Sequence, residues 1–69
     1  MEKGWIKAGS FTLMYQAELA RQMLANHDIE SIIINKKDSS YNDFGDIELY
    51  VRQSDILWAK KLLNSVTIE

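Results

Sequence analysis

The feature that most constrains this chain is a short alternating stretch near its middle. Over residues 46–52, Ile47, Leu49 and Val51 fall on one side of an extended backbone, and polar side chains or Tyr50 fall on the other. A period of two is typical of a β-strand with one buried and one accessible face. The sequence therefore predicts a sheet whose apolar side needs a covering layer.

A second strand is predicted just before the first. Residues 30–35 contain three successive isoleucines, which are stiff at χ1 and favour an extended backbone. We expect Ile32 and Ile34 to face the core and Ile33 to face outward. The two strands are joined by a polar loop, residues 36–45.

The rest of the chain predicts one more strand and two helices. Residues 4–10 alternate weakly, as in a strand. Thr12 is expected to cap a helix over residues 13–26, and Ser54 is expected to cap a second helix. Residues 66–69 form either a short last strand or a tail. The apolar helical stripes are Leu13, Ala17, Ala20 and Leu24, then Ile56, Ala59, Leu63 and Val66.

This order predicts an α+β fold of the ferredoxin-like kind. It reads β-α-β-β-α, with a final strand if residues 66–69 extend, and it forms a split βαβ arrangement. One antiparallel sheet then carries two helices on one face. Because 69 residues leave room for only one small core, we expect a single domain over residues 1–69.

Composition narrows the partners that such a domain can have. A small core is usually supplemented by disulfides, metals or oligomerisation. The chain has no Cys and one His, so oligomerisation is the remaining option, and we expect a dimer. The net charge is −2 and the basic residues are dispersed, which argues against a nucleic-acid partner. No apolar run is long enough to cross a membrane and no secretory signal opens the chain, so a cytoplasmic location is expected.

The uncovered face of the sheet is the first candidate for an interface. We expect the inward side chains of the sheet to be Ile6, Ala8, Ile32, Ile34, Ile47, Leu49 and Val51. Trp5, Ile33 and Tyr50 then share the outward face. An apolar patch of this kind marks association surfaces, although scattered apolar residues are also common on protein surfaces.

The loop is the second candidate, because it gathers charged, hydroxyl and aromatic groups. A loop held by a rigid sheet is a frequent place for binding residues. The alternative is a solvated connection whose polar side chains bond their own backbone. The candidate binding residues are Asn35, Lys36, Lys37, Asp38, Ser39, Ser40, Tyr41 and Phe44.

Catalysis is not expected. His27 is the only imidazole, and its position predicts a role at the end of the first helix. Asp46 and Glu48 share a strand face, but the chain is too small for the deep cavity that raises a carboxylate's pKa. No metal-ligand spacing is present, and no cofactor is expected.

Three segments resemble a family of small bacterial domains known as prokaryotic signal transducing proteins. The segments are GWIKAGSFT, YQAELARQMLANHDIES and NKKDSSYNDFGDIELYV, and the resemblance covers residues 5–63. It implies a ferredoxin-like domain, similar in shape to nitrogen-regulatory PII proteins, with a regulatory role. Our first hypothesis is a non-enzymatic signalling module that binds a small ligand or a protein through residues 36–45. The alternative is a structural or adaptor domain that only self-associates through its open sheet face.

Overall fold

The computed structural model describes residues 4–36 and 47–65 and has the predicted order of elements. Its elements are β1 (Trp5–Phe11), α1 (Met14–Asn26), β2 (Ser31–Asn35), β3 (Ile47–Arg52), a 3₁₀ turn (Gln53–Asp55) and α2 (Ile56–Ser65). The strands form an antiparallel sheet in the order β1-β3-β2. This compact β-α-β-β-α arrangement confirms the predicted ferredoxin-like α+β fold. The suggested last strand, residues 66–69, lies outside the described residues.

The middle strand, β3, carries the core. Ile47, Leu49 and Val51 have no exposed surface, as their alternation predicts. Both helices pack on this side of the sheet, which buries the apolar side chains on them. The helical residues buried in the same core as Leu49 and Val51 are Ala20, Leu24 and Ala59.

Strand β1 contains a bulge. Lys7 pairs with Tyr50 and Gly9 pairs with Leu49, so Ala8 is an extra residue without an opposite partner in the ladder. Ala8 packs against the core, as predicted. After the bulge, Gly9 faces the helices, and a Cβ built on it would lie 3.7 Å from a methyl group of Leu63. The absent side chain therefore lets α2 approach β1 closely.

The predicted orientation of β2 is wrong. Ile33 pairs with the buried Leu49 and packs against the core, so it does not lie on the open face. Ile32 and Ile34 pair with Tyr50 and Glu48 and take the open face instead. The composition of β2 favoured the opposite choice because two isoleucines outnumber one. A shift of one residue exchanges the two faces of a strand completely.

The orientation of β2 follows from Ile29, which lies directly before the predicted strand. Ile29 is 3% exposed and belongs to the core cluster. Residues two apart share a face of an extended chain, so a buried Ile29 turns Ser31, Ile33 and Asn35 to the helix side. The Ser31 hydroxyl is buried there and has no hydrogen-bond partner among the described residues.

Helix α1 begins one residue later than predicted and without the predicted cap. Leu13 is the N-cap residue and makes no side-chain hydrogen bond, so Thr12 is not the cap. Leu13 is also 47% exposed, whereas Ala17, Ala20 and Leu24 are buried as expected. Leu13 has an extended backbone before the first turn, which carries its side chain away from the stripe.

Helix α1 ends in a Schellman motif. The Ile29 amide donates to the Leu24 carbonyl at 2.9 Å, and the Asp28 amide donates to the Ala25 carbonyl at 3.0 Å. Asp28 adopts the left-handed conformation with a φ of 63°. The apolar contact that accompanies this motif is made by Ile29 and Leu24, which are both buried in the core. The helix end therefore fixes where β2 starts.

Helix α2 follows a 3₁₀ turn that contains Ser54, so the predicted cap residue lies inside a turn. Ala59 is fully buried, and Ile56 and Leu63 are partly buried against the core, as predicted. Val66, the last residue of the predicted stripe, lies outside the described residues. Neither described helix is long and apolar enough to cross a membrane.

Replacement of Asp28 tests the Schellman motif. The left-handed conformation costs a side chain with a Cβ about 1–2 kcal/mol, and less for Asp, while glycine adopts it freely. We expect Asp28→Gly to raise the free energy of unfolding by up to about 1 kcal/mol, and Asp28→Ala to lower it. Urea denaturation followed by circular dichroism measures both. Equal stabilities of the Gly and Ala variants would show that this conformation carries no strain.

Candidate functional site

The candidate site is the side of the sheet that the helices leave uncovered, which we call the open face. Residues directly opposite each other on neighbouring strands point to the same face, so the register defines its membership. The open face consists of Trp5, Lys7 and Ser10 on β1, Ile32 and Ile34 on β2, and Glu48, Tyr50 and Arg52 on β3.

A cluster of charged groups surrounds Glu48 at one end of this face. The Lys36 ammonium lies 3.1 Å from Glu48 Oε1, and the Lys7 ammonium lies 3.7 Å from Oε2. The Tyr50 hydroxyl donates a hydrogen bond of 2.9 Å to Oε1. The Glu48 side chain is 13% exposed, whereas those of Lys7 and Lys36 are about half exposed. The largely buried Glu48 carboxylate thus contacts two ammonium groups and one hydroxyl group, and both ammonium groups remain accessible to solvent.

The cluster changes the acidity of its members. Burial raises the pKa of Glu48, but the hydrogen bonds from Lys36 and Tyr50, with the charges of Lys36 and Lys7, outweigh it. The pKa of Glu48 therefore lies below its ordinary value of 4.5. The hydrogen bond to Glu48 raises the pKa of Lys36 and that of Tyr50. At neutral pH, Glu48 and Lys36 are consequently both charged, and Tyr50 keeps the proton that it donates.

A second group lies at the other end of the face. The Arg52 guanidinium lies over the Trp5 ring, 4.7 Å from its centroid, in a cation–π contact. Arg52 also pairs with the Glu30 carboxylate at 3.3 Å, and both side chains are more than half exposed. An exposed ion pair contributes little to stability, so these charges remain available to a partner.

Apolar side chains lie between the two charged groups. Ile32 is 36% exposed, and Ile34 and Tyr50 are partly exposed beside it. The face is therefore an apolar strip with charges of both signs at its ends.

The predicted site residues divide into three sets. Trp5 and Tyr50 lie on the open face as expected, and Ile33 does not. Asn35 and Lys36 are the described residues of the predicted loop site, and Lys36 reaches the open face. The other loop candidates lie outside the described residues, namely Lys37, Asp38, Ser39, Ser40, Tyr41 and Phe44.

The central role of Glu48 could not be predicted from the sequence. Its alternation with Leu49 placed it outward, but only the pairing of β3 with both neighbours brings Lys7 and Lys36 to it. These two residues are 29 positions apart in the chain, and no local spacing links them.

The described residues contain no group of three His, Cys, Asp or Glu side chains arranged to hold a metal ion. The His27 ring packs edge-on against Trp58, with 6.1 Å between their centroids. The backbone amide of His27, and not its ring, donates to a carbonyl at the end of α1. Its ring is thus a packing partner of α2.

No protein-family model, no curated protein and no solved structure matches this chain.

Removal of the Glu48 charge tests the cluster. A lowered pKa means that Glu48 contributes stability above its unfolded value of 4.5, and that this contribution disappears as the pH falls through the folded value. We expect Glu48→Gln to be clearly less stable than the wild type at pH 7, and we expect this deficit to shrink as the pH falls below 4.5. Urea denaturation across this range measures the difference.

Glu30→Gln is the matched control, since it removes the same charge from an exposed pair on the same face. We expect that variant to change stability by less than about 1 kcal/mol at pH 7. A Glu48→Gln deficit that does not shrink in acid would contradict the role assigned to the carboxylate.

Proposed function

We propose that this chain is a non-enzymatic binding module of a regulatory kind that forms a homodimer through its open face. The observation that carries the proposal is the composition of that face. Trp5, Ile32, Ile34 and Tyr50 lie on it beside charges of both signs. Aromatic residues and Arg are enriched in protein interfaces, and an uncovered apolar strip gains free energy when a partner removes it from water.

The partner that best fits the face is a second copy of the chain. The face carries charges of both signs among its described ion pairs. The cations are Lys7, Lys36 and Arg52, and the anions are Glu30 and Glu48. A two-fold interface brings a surface against itself, so it requires both signs of charge on one patch. A nucleic acid would instead favour a face with an excess of unpaired cations, and here each cation already has an anionic neighbour.

Dimerisation also agrees with the size of the domain. Eight residues make up the buried hydrophobic core of the described chain, and they are small or medium-sized. A core of this size stabilises a domain only marginally, and burial of the open face adds to it.

A charge placed on the apolar strip tests the dimer. Ile32→Lys leaves the core untouched, because Ile32 points away from the helices. We expect its dimer dissociation constant to rise at least about ten-fold, since burying an ammonium among apolar side chains costs more than 1.4 kcal/mol. Sedimentation equilibrium measures the constant.

Leu57→Lys is the control, because Leu57 is 83% exposed on α2, on the opposite layer of the molecule. We expect it to leave the dissociation constant unchanged. A wild-type chain that is monomeric at every concentration used would overturn the proposal, and equal effects of both substitutions would move the interface elsewhere.

We also propose that residues 36–45 bind a small ligand or a protein, as the resemblance to bacterial signal transducing proteins implies. One contact supports this second function. Lys36, the first residue of the loop, extends its ammonium onto the open face and touches Glu48. A ligand that Lys36 contacts would thus meet the same surface on which the dimer forms, which would link ligand binding to association.

Native mass spectrometry of protein purified from its own host tests the loop. We expect the wild type to retain a small molecule or a protein, and Asp38→Ala with Tyr41→Ala to lose it while the melting temperature stays within about 2 °C of the wild type. A wild type that carries nothing, or a variant that still carries the same adduct, would remove the loop from the function.

A further inference from the structure

We infer that the two copies stack with their strands antiparallel, so that Glu30 of each copy lies over Lys36 of the other. This inference rests on the proposed dimer and assigns its orientation. The orientation follows from the unequal charge at the two ends of the open face.

Among the described residues, the two ends of the face differ by one unit of charge. The end beside the loop holds Lys7, Lys36 and Glu48, which sum to +1. The far end holds Arg52 and Glu30, which sum to zero. The Glu30 side chain is 66% exposed, whereas that of Glu48 is 13% exposed. Glu30 is therefore the carboxylate on this face that a partner reaches most easily.

Two face-to-face arrangements have a two-fold axis between the sheets. An axis parallel to the strands places each loop end over the other loop end, which sets two net positive groups against each other. An axis across the strands places each loop end over a far end, where Glu30 is exposed. Like charges facing each other at an interface are unfavourable, so electrostatics selects the axis across the strands.

The apolar side chains select the same axis independently. An axis parallel to the strands places β2 over β1, so that Ile32 lies over Lys7 of the other copy. An axis across the strands places β2 over β2 in the opposite direction, so that Ile32 lies over Ile34 and each isoleucine meets an apolar surface. The same register brings residue 30 of one copy over residue 36 of the other. The usual angle of about 30° between packed sheets still leaves these two residues close to each other.

Reversal of the two charges tests this orientation in the full chain. We expect Glu30→Lys and Lys36→Glu each to raise the dimer dissociation constant about three- to five-fold, and the double variant to recover most of the loss. An axis parallel to the strands predicts no loss of affinity for Lys36→Glu, since the two loop ends that face each other change from +1 each to −1 each and their repulsion stays the same. A dissociation constant that does not rise in Lys36→Glu would overturn the inference.

Glu18→Lys is the matched control, because it makes the same reversal in a pair with Arg21 on α1. We expect no change in the dissociation constant of that variant. A loss of affinity equal to that of Glu30→Lys would show that net charge, and not position, governs the dimer and would overturn the inference.

Cross-linking decides the orientation even where a reversed charge disturbs folding. The sequence contains no Cys, so Glu30→Cys and Lys36→Cys each introduce a single thiol. We mix the two variants, one of them tagged, with a bis-maleimide that spans the separation of about 10 Å between packed sheets. We expect covalent heterodimers linked from residue 30 to residue 36. A dimer without this link overturns the orientation, whereas a chain that never dimerises overturns the proposed function itself.

Discussion

The burial of one strand face governs this structure. Ile47, Leu49 and Val51 are completely removed from water, and they are so only because β3 has a strand on each side and helices across one face. Because an antiparallel sheet with helices on one side leaves its other side uncovered, the same burial creates the open face. The core and the candidate site are thus the two sides of a single strand.

Glu48 is the residue of β3 around which the charged groups of the open face gather. It alternates with the buried residues of the middle strand β3, so it lies on the open face, where side chains from both sides come within reach of its carboxylate. The ammonium groups of Lys7 and Lys36 and the hydroxyl of Tyr50 converge on it from different elements. These groups lower the pKa of Glu48, because they stabilise its charged form by more than partial burial destabilises it. A face organised in this way has fixed charges at defined positions, as specific association requires.

The success and the failure of prediction have different physical sources. The strand at residues 47–52 and the buried stripe of α1 were predicted because alternation and helical spacing are local properties of the chain. The orientation of β2 was mispredicted because both of its faces contain isoleucine, and local composition cannot choose between them. The Schellman motif decides between them because it buries Ile29. Alternate residues of an extended chain share a face, so Ser31 and Ile33 point to the same side as Ile29. The caps failed for a similar reason, since Thr12 and Ser54 satisfy the pattern of a cap residue without occupying its position.

The sequence by itself determined the order of elements, the buried face of β3, and the need for a layer that covers it. These properties depend on which residues are neighbours along the chain. The tertiary structure alone decided which isoleucines are exposed and which charges meet at Glu48. Both depend on strand register, and register is set by the joint burial of residues that are far apart in the chain.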